Sequence, residues 1–428
     1  MHKVLLPFLM SASIAIPVCA QNIASPSSYA ATATQTHAEQ GALASLTLAA
    51  ALDLAFNANP EIAIARREVE ATAGTVQQAG LIPNPELETL IEDTKRETRT
   101  TTVQINQAIE LGGKRGARIT AAERGRDFAL MELKGKQADI RATVIAAFYD
   151  VVIAQERHRL AQASFELAQR ATLGASRRVI AGKISPVEET RARVAESGVR
   201  IELAQANNEL ESARRKLAAT WGSSHPRFER VEDPHAELPA LIPLPELTER
   251  LQHSPVLQRA KIEVERRAAM AQVERSRQTP DVMLSLGAKR DEQMGRNQAV
   301  IGVSIPLPVF DRNQGNVLEA LRRTDKARDE LLATEVNLNM ELGDAHGRLS
   351  IARMETQLIK NEILPGAKRN YEASSKGFEL GKFSFLEVLD AQRTFFQAES
   401  QYLRSLAETY RAAAAIDRLL GEPFSAIK

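Results

Sequence analysis

The sequence predicts a mainly α-helical protein with a small β part of membrane-spanning length, organised as a duplicated unit of helix, strand pair and long helical hairpin. Three observations carry that reading. Two halves align at nearly constant offset, four long proline-poor stretches repeat apolar residues in helical register, and four short segments alternate with period two.

The duplication is seen in matched anchors. Asn59-Pro60 recurs as Ser254-Pro255, and Asn84-Pro85-Glu86 as Thr279-Pro280-Asp281, both at an offset of 195. Further on, Gly182-Lys183 recurs as Gly381-Lys382 and Trp221-Gly222 as Leu420-Gly421, both at 199, so four residues were gained between the anchors. The first repeat spans 46–222 and the second 244–421, with a tail at 422–428. Between them, 223–243 reads as an extended, non-helical linker because Pro226, Pro234, Pro239 and Pro243 fall in it and Pro245 just after.

Long helices are expected at about 114–180, 186–221, 313–378 and 385–420, rich in Ala, Leu, Glu, Arg and Gln. At ~1.5 Å of rise per residue the longest spans on the order of 100 Å. Phe128, Met131, Ile140, Val144, Phe148 and Val151 mark one buried stripe on an otherwise charged surface, as in coiled-coil or barrel-packed helices. Pro365-Gly366 falls inside the third long helix, where a missing donor and a ring clash predict a bend or a break.

Strands are expected at about 84–92, 101–110, 280–289 and 297–307. Leu87, Thr89 and Ile91 alternate with Glu86, Glu88 and Glu92; Val103, Ile105 and Ile109 with Gln104, Asn106 and Glu110. The second half repeats the pattern with Val282, Leu284 and Leu286, then Ala299, Ile301, Val303 and Ile305. Such alternation also describes a soluble, half-buried strand. Context favours the membrane, since each segment is close to the ~9–11 residues of a tilted transmembrane strand and open sheet edges are not tolerated in lipid. Four strands fall short of the ~8 needed to close a barrel, so several chains must pool theirs.

The N-terminus agrees with export. A basic start at His2-Lys3, an apolar stretch from Val4 to Val18, and Val18 and Ala20 at the signal-peptidase spacing read as a cleaved signal peptide ending at Ala20. A buried or membrane-spanning helix is the competing reading, but the stretch is short and Pro17 interrupts it. Cys19, the only cysteine, raises the alternative of cleavage before it and lipid attachment; Val18 is larger than the residue that processing prefers there. Residues 21–45 read as a mobile Ala, Ser, Thr and Gln leader. Cleavage would take Lys+Arg from 55 to 54 against 54 acids, a neutral mature chain with no nucleic-acid footprint.

Other motifs carry no chemistry. Gly112-Gly113-Lys114-Arg115 lacks the spacing and the Ser or Thr of a phosphate loop, and is expected to turn the strand back into the helix at the membrane boundary. His37, His158, His225, His235, His253 and His346 are scattered, so no metal site and no cofactor are expected. No nucleophile or acid–base cluster supports an exported hydrolase.

Ile82-Pro83-Asn84-Pro85-Glu86-Leu87, Gln107 to Arg115 (QAIELGGKR) and Phe385 to Arg393 (FLEVLDAQR) together resemble the TolC-like outer-membrane efflux family, with its CzcC-like heavy-metal branch nearest. The resemblance covers essentially the whole mature chain. It implies a homotrimer whose twelve strands form one barrel in outer-membrane lipid, continued by a periplasmic helical tunnel that docks on a periplasmic adaptor and an inner-membrane pump of the RND type. It implies no enzyme. The expected role is the passive exit duct of a three-part efflux system for divalent heavy-metal cations, with organic toxic compounds or secreted protein as alternative cargo. A periplasmic coiled-coil adaptor or scaffold is the alternative of another class, although adaptors have one hairpin flanked by β-domains.

The resemblance also assigns sites. Gly182, Lys183 and Ser185, with Gly381, Lys382 and Ser384, match the hairpin tips that touch the adaptor; as residues, Gly suits a helix C-cap and Ser the next N-cap. Glu387 and Asp390 match an acidic pair at the periplasmic gate, and two residues three apart share a helix face. Three chains would make two carboxylate rings that favour cations. Glu188 matches Glu387, but Arg191 stands where Asp390 would be, so the halves differ there. A solvated helix face is the plain alternative for any one of these acids.

Overall fold

The structure, a computed structural model, describes residues 43–232, 238–380, 382–383 and 385–422. The expected signal peptide with Cys19, the leader up to residue 42, and Gly381 and Ser384 at the second tip lie outside the described residues. In chain order the first half holds β1 (Leu43–Leu46), α1 (Leu48–Ala58), α2 (Pro60–Ala79), β2 (Glu86–Glu92), β3 (Thr100–Ile109), α3 (Lys114–Ile180) and α4 (Pro186–Ala219). The linker holds β4 (Phe228–Val231). The second half holds α5 (Leu244–Leu251), α6 (Pro255–Ser276), β5 (Val282–Asp291), β6 (Arg296–Ser304), α7 (Gln314–Leu358), a π-helical turn (Ile359–Ile363), α8 (Leu364–Glu379) and α9 (Phe385–Leu420).

The halves reuse the same backbone devices. Asn59 caps α2 by accepting from the N–H of Glu61 at 2.8 Å, and Ser254 caps α6 by accepting from Leu257 at 3.3 Å. Pro60 and Pro255 follow, where a missing N–H costs nothing. At the far end of each half, Gly222 (φ +77) and Gly421 (φ +78) turn the chain against those same prolines. Each repeat therefore closes on its own second helix, glycine against proline.

β2, β3, β5 and β6 form one antiparallel sheet in that order. Its register sets Leu87, Ile105, Leu286 and Ile301 in a single cross-strand row, followed by Thr89, Val103, Ala288 and Ala299 on the same face. The four residues of the first row are 73%, 54%, 62% and 74% exposed. Left in water, such side chains forgo about 2 kcal/mol each, so this face needs an apolar medium. The opposite face carries Glu86, Asn106, Ser285 and Gly302 in one row and Glu88, Gln104 and Gly287 in the next. A Cβ on Gly287 would fall 2.4 Å from the Val103 carbonyl oxygen, so only glycine lets the strands approach there.

The long helices form a layer with two open edges. Towards the sheet its order is α2, α3, α6, α7; towards the hairpin tips it is α4, α3, α9, then α7 running into α8. The expected stripe on α3 is buried at Ile140, Val144, Phe148 and Val151, while Phe128 and Met131 are half-buried. Tyr149 of α3 stacks on Tyr410 of α9 with ring centroids 4.3 Å apart, tying the two hairpins together. Both edges stay apolar: Val187, Val194 and Ile201 on α4, and Val336, Met340, Ile351 and Met354 on α7, are all exposed. Gly343 and Gly347 sit inside the α7 stripe with open space beside them.

Three details go beyond the expectations. Pro365 neither breaks nor ends its helix: the π-helical turn lies just ahead of it, where the Leu364 N–H reaches back to the Ile359 carbonyl, and the widened turn takes up the mismatch that proline would otherwise force. The last residues of the leader are structured, because β1 pairs in parallel with β4 inside the linker. The linker itself is strapped down: Gln155 bonds both the N–H and the C=O of Val231 at 2.7 and 3.0 Å, and His346 bonds the Ile242 carbonyl at 3.0 Å.

Candidate channel wall and gate

The polar sheet face continues into the helices through a tight corner. Gly112 and Gly113 both have positive φ, and a Cβ on Gly112 would lie 2.7 Å from the Thr279 side chain. Lys114 then reaches Asp281 at the start of β5 at 2.6 Å, and Arg118 pairs with Glu110. In the second half Asn313, also left-handed at φ +57, enters α7 and donates its amide to the Glu274 carbonyl at 2.8 Å.

Glu110 continues the strand parity of Asn106 and Ala108, so Arg118 lies on the polar side. From there a groove of about 640 Å³ runs between α2 and α7 over a floor of α3 and α6, with Arg118, Met270, Glu274, Glu319 and Arg323 among its walls. Arg118, Arg266, Arg267, Arg277 and Arg323 line it with Glu274 and Glu319; Arg277 pairs with Glu274 at 2.6 Å and Arg323 with Glu319 at 2.5 Å, while Arg266 and Arg267 share Glu263. The result is an arginine-rich wall in which each guanidinium has a carboxylate partner but basic groups outnumber acidic ones. Among the described residues, no cluster of His, Cys, Asp and Glu could hold a metal ion.

At the first tip, Gly182 takes φ +66 after α3, and the N–H of Gly182 and Lys183 return to the carbonyls of Val179 and Arg178 at 2.9 and 2.8 Å. This paired bonding satisfies the last carbonyls of the helix. Ser185 then caps α4 by accepting from Val187 at 3.3 Å. At the second tip the Lys382 N–H makes the equivalent return to the Gly377 carbonyl at 2.8 Å. Lys183 and Lys382 are both exposed.

Beyond the tips the halves part. Glu188 pairs with Arg191 along α4 at 2.9 Å. Glu387 and Asp390 are both exposed on the first turns of α9, while Val388 and Ala391 between and beside them are buried. The acidic pair therefore faces away from the chain's own core.

Sequence patterns gave no sign of a further charged group at the seam between the hairpins. Arg159 of α3 binds Glu156 and reaches Glu399 of α9 at 3.2 Å. Burial pushes the Glu399 carboxyl above the usual carboxylate range, and Glu156 adds to this while Arg159 and Lys368 oppose it. These residues lie far apart in sequence, in stretches whose charge otherwise reads as solvated surface.

Comparison with known proteins decides the family. The family described as outer membrane efflux protein matches residues 51–223 and 247–422, one match per repeat. The chain belongs to the outer membrane efflux protein family. The interval between the matches falls on the strapped linker. The cobalt-zinc-cadmium resistance protein CzcC of Cupriavidus metallidurans is 52% identical over 88% of this chain and 90% of its own. The nickel-cobalt-cadmium resistance protein NccC of Alcaligenes xylosoxydans is 26% identical over 65% of each. Among solved structures, the outer membrane protein VceC of Vibrio cholerae superposes with a TM-score of 0.71 at 18% identity, covering 88% of this chain and 97% of that one. As a member of this efflux family the chain is an outer-membrane protein, and the sheet and helical layer are the family fold.

Proposed function

We propose that three copies of this chain form the outer-membrane exit duct of a three-part efflux system, serving divalent heavy-metal cations. The observation that carries it is the sheet with one apolar face, one polar face and two open edges, β2 and β6. Neither edge is tolerable in lipid, and joining β6 of one copy to β2 of the next three times gives a closed twelve-stranded barrel, inside the size range of such barrels. The helical layer supports the same closure, because it too leaves apolar residues exposed at both open edges, on α4 at one and on α7 at the other. Polar sheet face and arginine-lined groove then line one continuous channel, with the helices in the periplasm.

In this reading the Gly182-Lys183-Ser185 and Gly381-Lys382-Ser384 tips receive the adaptor, which links the duct to an inner-membrane pump of the RND type. Glu387 and Asp390 form carboxylate rings at the periplasmic gate, with Glu188 nearby. No catalytic step is assigned, and energy comes from the pump. The metal cargo rests on the two resistance proteins named above.

The mass of the detergent-extracted protein, corrected for bound detergent, tests the assembly: three chains are expected, and a soluble monomer overturns it. Expression in a strain lacking its own metal exit duct tests the cargo. Restored growth on cobalt, zinc or cadmium is expected, and rescue confined to organic toxicants or to protein export overturns the metal assignment.

A further inference from the structure

The end of the sheet away from every helix is asymmetric in charge between its two faces. On the polar face the charges balance: Lys289 lies 3.4 Å from Glu92, and Arg296 stands across from Asp291. The apolar face ends differently. Arg290 shares it with Leu284, Leu286 and Ala288, and one residue pair further Arg99 meets Glu292, whose N–H bonds the Arg99 carbonyl at 3.2 Å. Arg290 bonds Glu292 at 3.0 Å, and the Glu292 carboxyl is held below its usual range by that hydrogen bond and by the charges of Arg290, Arg99 and Arg96. Neither Arg96 nor Arg99 makes an ion pair of its own among the described residues. Arg290 thus bonds the Glu292 carboxylate directly, and the adjoining turn places Lys95, Arg96 and Arg99 beside it together with Asp93 and Glu97, four basic groups against three acidic ones. With both turns counted, residues 92–99 and 289–296 hold six basic and five acidic side chains, so the end as a whole is also positive.

The other rim of the apolar face has a different chemistry. Leu307, Val309 and Phe310 are exposed there, Phe310 at 91%, as suits the acyl and headgroup boundary of an ordinary phospholipid leaflet. The arginine rim is the opposite end of the same lipid-facing surface.

We propose that Arg96, Arg99 and Arg290 form a binding site for the phosphate groups of lipid A, the anchor of lipopolysaccharide in the outer leaflet. The inference rests on the barrel reading above, which turns the apolar face to lipid and this end to the cell exterior. Guanidinium groups suit phosphate because their paired N–H donors match two of its oxygens. Guanidinium groups with a net charge of one directly beyond an apolar band are complementary to an amphiphile whose phosphates sit directly beyond its acyl chains. Glu292 orients Arg290 and leaves the other two arginines available.

The test uses the purified trimer in non-ionic detergent, titrated with bisphosphorylated lipid A, dephosphorylated lipid A or phosphatidylglycerol and read by native mass spectrometry. Bisphosphorylated lipid A is expected to bind about tenfold more tightly than the dephosphorylated form, and the Arg96→Gln/Arg99→Gln/Arg290→Gln variant to lose that preference. Arg115→Gln, at the other rim, is expected to leave it unchanged. Equal binding of phosphorylated and dephosphorylated lipid, equal binding of phosphatidylglycerol, or an unaltered triple variant overturns the proposal. Should the triple variant not assemble, Arg96→Gln in its exposed turn carries the same comparison. Failure of the barrel reading would show earlier, as a chain that is not a detergent-bound trimer before any lipid is added.

Discussion

The two hairpin tips have nearly the same backbone and a different charge where Arg191 stands against Asp390. Both long helices end with an N–H returned to a carbonyl five residues back, and each following helix starts with an acid at the matching position. Yet Glu188 is neutralised along its own helix by Arg191, where the second tip has Asp390. Duplication preserved what the backbone needs and let charge diverge. Hydrogen-bonded ends are required at every hairpin, whereas the charge of an exposed side chain is constrained only by what passes or binds beside it. The cation gate proposed above is assigned to the second hairpin on that one difference in residue type.

That contrast can be broken by experiment. Glu387→Ala/Asp390→Ala is expected to raise single-channel conductance severalfold or abolish block by divalent cations, while Glu188→Ala leaves both near the original. Equal effects at the two tips would remove the distinction. Next in size is the glycine–proline closure of each repeat. At Gly421 a Cβ would fall 2.2 Å from Pro255, against 3.2 Å between Gly222 and Pro60. Each pays about 1–2 kcal/mol for a left-handed alanine, and Gly421→Ala adds a clash, so its melting temperature should fall further than that of Gly222→Ala. Thermal unfolding of the two variants decides the order.

Arg191→Asp rebuilds in the first tip the acidic pair of the second. Cation over anion permeability should rise modestly, read as a reversal potential in a salt gradient, and an unchanged ratio would place Glu188 outside the ion path. The smallest effect concerns pH. Glu399 has its folded pKa raised, so the stability it contributes is present while it is protonated and is lost as pH rises from the usual carboxylate range through the raised value. Glu189 in the first hairpin is lowered by its hydrogen bond from Arg193, so its contribution appears above the ordinary carboxylate range and is lost on acidification. Glu399→Gln should therefore melt slightly higher than the parent at neutral pH, with the gap closing in acid. Glu189→Gln should show the reverse trend, and parallel pH curves for both variants would contradict the assignment.

Much of this architecture could be read from residues because it follows from local rules. Period-two alternation from Glu86 to Glu92 shows directly which side chains share a face, and the Asn59-Pro60 and Ser254-Pro255 pairs announce helix starts before any packing is known. What stayed hidden depends on contacts distant in sequence. Nothing near Leu43 signals a strand, because its partner is Phe228. The Arg159 link to Glu399 crosses 240 positions, and the arginine rim joins two separate turns. Pro365 could be read in part: a proline predicts a disturbed helix, and here one wider turn directly ahead of it is the form the disturbance takes.

That wider turn has an effect beyond its own hydrogen bonds. An extra residue in a helix advances everything after it by ~100° of rotation, about a quarter of a turn. α9 packs against both α7 and α8, whereas α6 packs against α7, in the part towards the sheet. A single inserted position works as a phase shifter that lets one rod carry a proline and still keep α9 as its neighbour on both sides of it.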